Sequence, residues 1–224
     1  MNTAEKLSAQ EAARSLVYRR LADAFRLPGS HLPTVLSELE TALACLGSDA
    51  CANAAILKRS TTEDTAPCSL EVDFAGLFVG PFLVPAPPYG SVYLEDKRKL
   101  MGDSTVDVRQ HYLSLGLDLS ADFKEAPDHI CAELEFMHVL ISQGLEAIEA
   151  ADDAQLLQSI RHQRLFLEKH LAAWIPAFTG KVTEHARTDY YRHLAALTQT
   201  FVAEEIETLP DLPVAGMEPV QAEA

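Results

Sequence analysis

A cluster of prolines limits what this chain can fold into more than any other feature. In LVPAPPYGSVYLE, residues 83–95, Pro85, Pro87 and Pro88 follow closely on Pro81, and Tyr89, Gly90 and Tyr93 come after them. Proline fixes its own φ, lacks a backbone N–H and pushes the residue before it out of the α region. Neither a helix nor a central strand can run through such a stretch. The segment therefore divides the chain, and the pattern on both sides of it is helical.

Before it, AEKLSAQEAARSLVYRRLADAFRLPG repeats apolar residues (Leu7, Leu16, Val17, Leu21, Phe25) at three- and four-residue intervals, with Arg19 and Arg20 free to point outward. Proline and glycine in LPG, residues 27–29, close it. Further helices are expected over Leu32–Leu46, stopping at Gly47, over Ala50–Arg59, and over Cys68–Val79 with Leu70, Phe74, Leu77 and Phe78 on one side. After the prolines, GDSTVDVRQHYLSLG restarts a helix, with Ser104 and Asp107 in the S-x-x-D relation of a capping box. Residues 117–127 read as a long loop and a possible hinge. The next helix has the clearest stripe, through Ile130, Leu134, Met137 and Ile141, with Pro127 and Asp128 at its expected start. One more is expected from Asp153 to Ala172, ending near WIPAF, and a last one from Thr183 to Thr208. No alternating β-branched run and no repeat stands out. The expectation is an all-α, single-domain helical bundle over residues 1–208, with a proline-rich loop between helices and a disordered tail over 209–224.

Composition narrows the function classes. Of 224 residues, 48% are hydrophobic and 23% charged, the balance of a folded globular chain. No apolar run is long enough to cross a membrane. The start, MNTAEKLSAQEAARS, lacks the apolar core of a secretory signal, which argues for a cytoplasmic protein. A net charge of −15 without Lys/Arg clusters speaks against nucleic-acid binding and fits either a solvated surface or attraction to a basic partner. Cys45, Cys51, Cys68 and Cys131 form no C-x-x-C pair, so buried free thiols are expected rather than a zinc site.

Few residues suggest catalysis. No nucleophile elbow, Walker loop or dinucleotide fingerprint is present. Glu135 and His138 make one Glu-x-x-His unit, but a di-metal carboxylate bundle needs a second unit and two more glutamates, so no metal site is assigned. A helical di-metal or redox protein built on Glu135 and His138 is the alternative function. In APDHICAELE, His129 and Glu133 are spaced to share a helix face and a hydrogen bond. Glu125, Asp128, Glu133 and Glu135 make a negative patch. It suits plain capping and solubility, or a cradle for a cation or an arginine-bearing peptide. The proline segment reads as a polyproline turn packed on its neighbours, or as an adaptable wall for a peptide.

DFAGLFVGPFLVPAPPYGSVYLE (73–95) and EAPDHICAELEFMHVL (125–140) strongly resemble the TorD/DmsD family of cytoplasmic chaperones. EKHLAAWIPAFTGKV (168–182), YRRLADAFRLPG and DYYRHLAALTQTFVAEE fit the same family in the same order. The resemblance implies an all-helical protein that is not an enzyme. It implies a system-specific chaperone that binds the twin-arginine signal peptide, the apo-form of a molybdopterin oxidoreductase subunit, or both. Such a chaperone aids cofactor insertion and delays export. It further implies no tightly held cofactor, though weak guanine nucleotide binding occurs in such families, and a monomer or a domain-swapped dimer. Carried onto this sequence, the peptide groove comprises Leu77, Phe78, Pro87, Pro88, Tyr89, Ser91, Tyr93, Glu125, Pro127, Asp128 and His129. Glu125 and Asp128 form its acidic lip, and Tyr89 stands where relatives often carry tryptophan. The identity of the client is not written in the chain.

Overall fold

A computed structural model describes residues 3–61, 67–80, 84–96 and 100–209. Pro81 and the tail beyond residue 209 lie outside them, as does the side chain of Cys68. Every regular element among the described residues is helical: α1 (Thr3–Ala24), α2 (Leu32–Leu46), α3 (Cys51–Ser60), α4 (Pro67–Phe74), the short α5 (Ser91–Leu94), α6 (Asp103–Ser114), α7 (Ile130–Glu149), α8 (Asp153–Phe166), α9 (Ala172–His185) and α10 (Asp189–Thr208). Two π turns extend this set, Ala75–Val79 after α4 and Leu167–Leu171 between α8 and α9. An isolated antiparallel bridge joins Tyr89 to His129.

The all-α expectation holds, and some boundaries follow from local chemistry. Helix α2 opens with Pro33 in its first turn and ends at Gly47, whose φ of 67° lets its N–H and that of Ser48 fold back to Ala44 and Leu43. Other boundaries differ from the sequence reading. The chain does not break at WIPAF: Pro176 lies inside α9, and the helix runs on to His185. A π turn at 167–171 leads directly into α9, and Pro176 follows in the second turn of that helix. Nor do Ser104 and Asp107 form a capping box. The start of α6 is capped from outside, by Glu95 Oε1 accepting from Ser104 N and Oγ, both at 2.8 Å.

Helix α7 is the axis. It packs against α1 on one side and α8 on the other, while α10 lies along α9 and α3. One apolar cluster runs from Val17 to Leu209 and includes the fully buried Trp174, Phe166 and Tyr190. A buried polar clasp joins the first and last helices. Arg14 donates from Nε to Glu205 Oε1 at 2.9 Å and from a terminal nitrogen to Oε2 at 2.6 Å, with Glu11 and Gln163 as further partners.

Candidate functional site

The proline segment and the loop before α7 are stitched together by backbone. Ile130 N donates to Pro88 O and Gly90 N to Asp128 O, each at 2.9 Å, on either side of the Tyr89–His129 bridge. Two irregular stretches some forty residues apart in sequence thereby satisfy each other's polar groups, as buried backbone requires. Side chains reinforce the seam. The Tyr89 hydroxyl donates to Glu125 Oε2 at 2.5 Å, and the Tyr112 hydroxyl donates to Pro127 O at 2.9 Å. The His129 ring meets Tyr89 at 5.2 Å and Phe123 at 5.8 Å, edge to face.

Of the eleven residues assigned to a groove, the structure divides surface from support. Pro87, Tyr89, Tyr93, Pro127 and His129 are part-exposed, and Glu125 is exposed. Leu77, Phe78, Pro88, Ser91 and Asp128 are buried. Phe78 belongs to an aromatic cluster with Phe25, Phe74, Phe178 and Tyr191, which places it and Leu77 in the core. The acidic lip needs the same correction. Asp128 turns inward, and its Oδ2 accepts from Ser91 N at 2.7 Å. It caps the start of α5 rather than of its own helix, and Glu125 alone stays at the rim.

His129 and Glu133 do not pair through their side chains. His129 is the N-cap of α7, its Nδ1 accepting from Cys131 N at 3.2 Å, so the ring proton belongs on Nε2. Burial lowers its pKa to about 4 and keeps the ring neutral. Glu133 is fully buried. Its Oε2 accepts from the Trp174 indole N–H at 3.0 Å, and desolvation raises its pKa well above the carboxylate range. Tyr93 stacks on Trp174, ring centroids 5.7 Å apart. Gly90 sits so close above this pair that a Cβ there would lie 3.0 Å from the indole nitrogen.

Beside the seam lies a cavity of about 350 Å³ lined by Arg26, Asp118, Leu119, Ser120, Asp122, Phe123, Ala132 and Glu135. Phe123 belongs both to its wall and to the ring cluster around His129. Glu135 pairs with Arg26 here, and Arg109 holds the Asp118 carboxylate below its usual range. Asp118, Asp122 and Phe123 were missed by the sequence reading. Their one signal was the unusual length of the loop they occupy. The Glu135–His138 alternative dissolves, because His138 Nδ1 instead meets Ser15 Oγ at 2.7 Å. Among the thiols, Cys131 is core, with burial pushing its pKa up to about 12, whereas Cys45 is exposed rather than buried as expected.

With this geometry in place, comparison with known proteins gives a consistent result. The family model described as nitrate reductase delta subunit matches residues 31–180. The chain is 29% identical to the chaperone protein TorD of Psychrobacter sp. (strain PRwf-1), over 95% of its own length and 98% of that protein. It is 29% identical to the Tat proofreading chaperone DmsD of Salmonella typhi, covering 71% of this chain and 69% of that one. It is 31% identical to a perchlorate reductase assembly chaperone of Dechloromonas aromatica, covering 63% of each. A solved structure from Archaeoglobus fulgidus, of a protein assigned to redox enzyme maturation, shares the fold at a TM-score of 0.50 and 19% identity, over 87% of this chain and 93% of that one. The three sequence relatives are named as chaperones, and the chain belongs to the TorD/DmsD family of redox-enzyme chaperones that the nitrate reductase delta-subunit model describes.

Proposed function

We propose that this chaperone serves one molybdopterin-containing oxidoreductase in the cytoplasm, binding the twin-arginine signal peptide of the apo-subunit and delaying export until the cofactor is inserted. A twin-arginine peptide is a basic pair followed by an apolar run. The observation that carries the reading is the seam, which sets an aromatic and proline surface beside a carboxylate-lined cavity through Phe123, a residue of the cavity wall that meets the His129 ring. Pro87, Tyr89, Pro127 and Phe123 take the apolar run. Asp122, Glu125 and Glu135 take the arginines. Arg26 on Glu135 is the kind of guanidinium–carboxylate contact that a client arginine would make. Asp128 and Ser91 act through the backbone they hold, and the net charge of −15 steers a basic peptide inward.

Calorimetry with a synthetic twin-arginine signal peptide tests this. The Asp122→Asn/Glu125→Gln double variant binds at least tenfold more weakly, about 1.4 kcal/mol, with its melting temperature unchanged. A variant peptide with both arginines replaced by glutamine loses more. Equal affinity of the wild type and the double variant for the arginine peptide would remove these carboxylates from the site.

A further inference from the structure

Away from the seam, α6 faces the π turn that follows α8, and three side chains with metal-binding chemistry converge there. Asp107 and His111 are four residues apart on α6 and so share a face. His170 comes from the π turn. One ligand atom from each of the three lies within 4.8 Å of the others. His170 Nε2 is 2.8 Å from Asp107 Oδ2, and His111 Nε2 is 3.8 Å from the same oxygen. We propose that Asp107, His111 and His170 bind one divalent transition-metal ion of the zinc class.

The donor set selects the ion class. Two imidazoles and one carboxylate suit zinc, cobalt or nickel, whereas magnesium and calcium prefer all-oxygen shells. Zinc ligands lie about 2.0–2.2 Å from the metal, so tetrahedral neighbours sit roughly 3.5 Å apart. The observed 2.8 and 3.8 Å bracket that value. Three protein ligands leave a fourth position for water.

A second observation points to a ligand. The His170 side chain is only 2% exposed, its Nε2 meets the Asp107 carboxylate at 2.8 Å, and its Nδ1 has no hydrogen-bond partner. A buried imidazole left this way is costly unless something else takes its lone pair. The π turn supports the arrangement, because such turns insert one residue and re-aim the side chains that follow.

One cation stands at the site in the structure. Lys169 Nζ lies 2.8 Å from Asp107 Oδ2 and 2.9 Å from Oδ1. Its side chain is 54% exposed, so it can swing into water at little cost when a metal takes the carboxylate.

The test uses the full chain, tag-free and chelator-treated, titrated with Co²⁺ as a spectroscopic stand-in for Zn²⁺. One equivalent binds and gives visible d–d bands of a low-coordinate site, without the charge-transfer band of a thiolate ligand. Zn²⁺ displaces it. His111→Ala and Asp107→Asn, both at part-exposed positions, each weaken binding more than tenfold, and Lys169→Ala tightens it severalfold. His170→Ala abolishes binding if it folds, and the other two variants decide the matter if it does not. Substoichiometric binding, a thiolate band, or affinity unmoved in both His111→Ala and Asp107→Asn overturns the site.

Discussion

The carboxyl of Glu133 has left water, and its one hydrogen bond comes from an indole that is itself fully buried. Removing the acid to alanine strands the Trp174 N–H and opens a cavity, a loss of about 2–4 kcal/mol that thermal melting would register. Glutamine keeps the shape and the acceptor, and it separates charge from packing. Because desolvation raises the folded pKa above the unfolded value of about 4.5, the native state holds this proton more tightly. Glu133's contribution is therefore complete below pH 4.5 and declines as pH rises towards the folded pKa. Glu133→Gln removes that decline, so its melting temperature gains on the wild type between pH 5 and pH 9. A difference that stays flat with pH would mean that Glu133 is ionised in the fold. Asp128 poses the complementary case, since its value lies in accepting a buried N–H. Asp128→Ala leaves Ser91 N unpaired and costs about 1–3 kcal/mol in urea unfolding, whereas Asp128→Asn retains an acceptor and loses less. Weakened peptide binding in the alanine variant then reflects a lost support for the seam rather than a lost contact with arginine.

Between elements, the decisive unit is the seam, and Gly90 is its tightest point. Alanine there pushes a methyl against Trp174 and Glu133, and must either displace α5 or open the Gly90–Asp128 hydrogen bond. Gly90→Ala should cost about 1–3 kcal/mol and loosen Tyr89 from Glu125. Hydrogen exchange would show lost protection at Gly90, Ser91 and Ile130 together; loss confined to Gly90 would mean that the seam does not act as a unit. How far these features were legible depends on the distance over which their causes act. The stop of α2 at Gly47 and the stripe of α7 are written locally, and both were readable. The start of α6 was misread because its cap, Glu95, arrives from another segment, which freed Asp107 for Lys169 and His170. The continuation through Pro176 was hidden because proline ordinarily ends a helix, whereas here Trp174, Ile175 and Phe178 around it are buried in the core. At the site, motif resemblance named two segments, and the structure joins them to each other by backbone hydrogen bonds. Only tertiary packing could show that Asp128 turns inward and that Asp118 and Asp122 line a cavity with Phe123.

At the scale of the whole molecule, the question is what holds the ends of the chain onto the middle. The family model matches residues 31–180, so α1 and α10 flank it, yet both contribute to the central core. Apolar packing does most of this, with Tyr18 meeting Phe201 at 5.1 Å. The polar part is concentrated in Arg14, whose guanidinium takes Glu205, Glu11 and Gln163 at once. Both Arg14 and Glu205 are nearly buried, so each depends on the other to offset its desolvation. Arg14→Ala leaves the Glu205 carboxylate buried without its cation and should lower unfolding stability by about 3–5 kcal/mol. Arg14→Leu/Glu205→Leu removes both charges and fills the space with apolar side chains. Replacing such a pair is often neutral, so the double variant should recover most of the single variant's loss in guanidinium unfolding. A double variant no more stable than Arg14→Ala would show instead that the clasp fixes the register of α1 on α10 through its geometry. In that case the charges are part of what specifies this arrangement of the helices, and the apolar cluster alone is insufficient to select it.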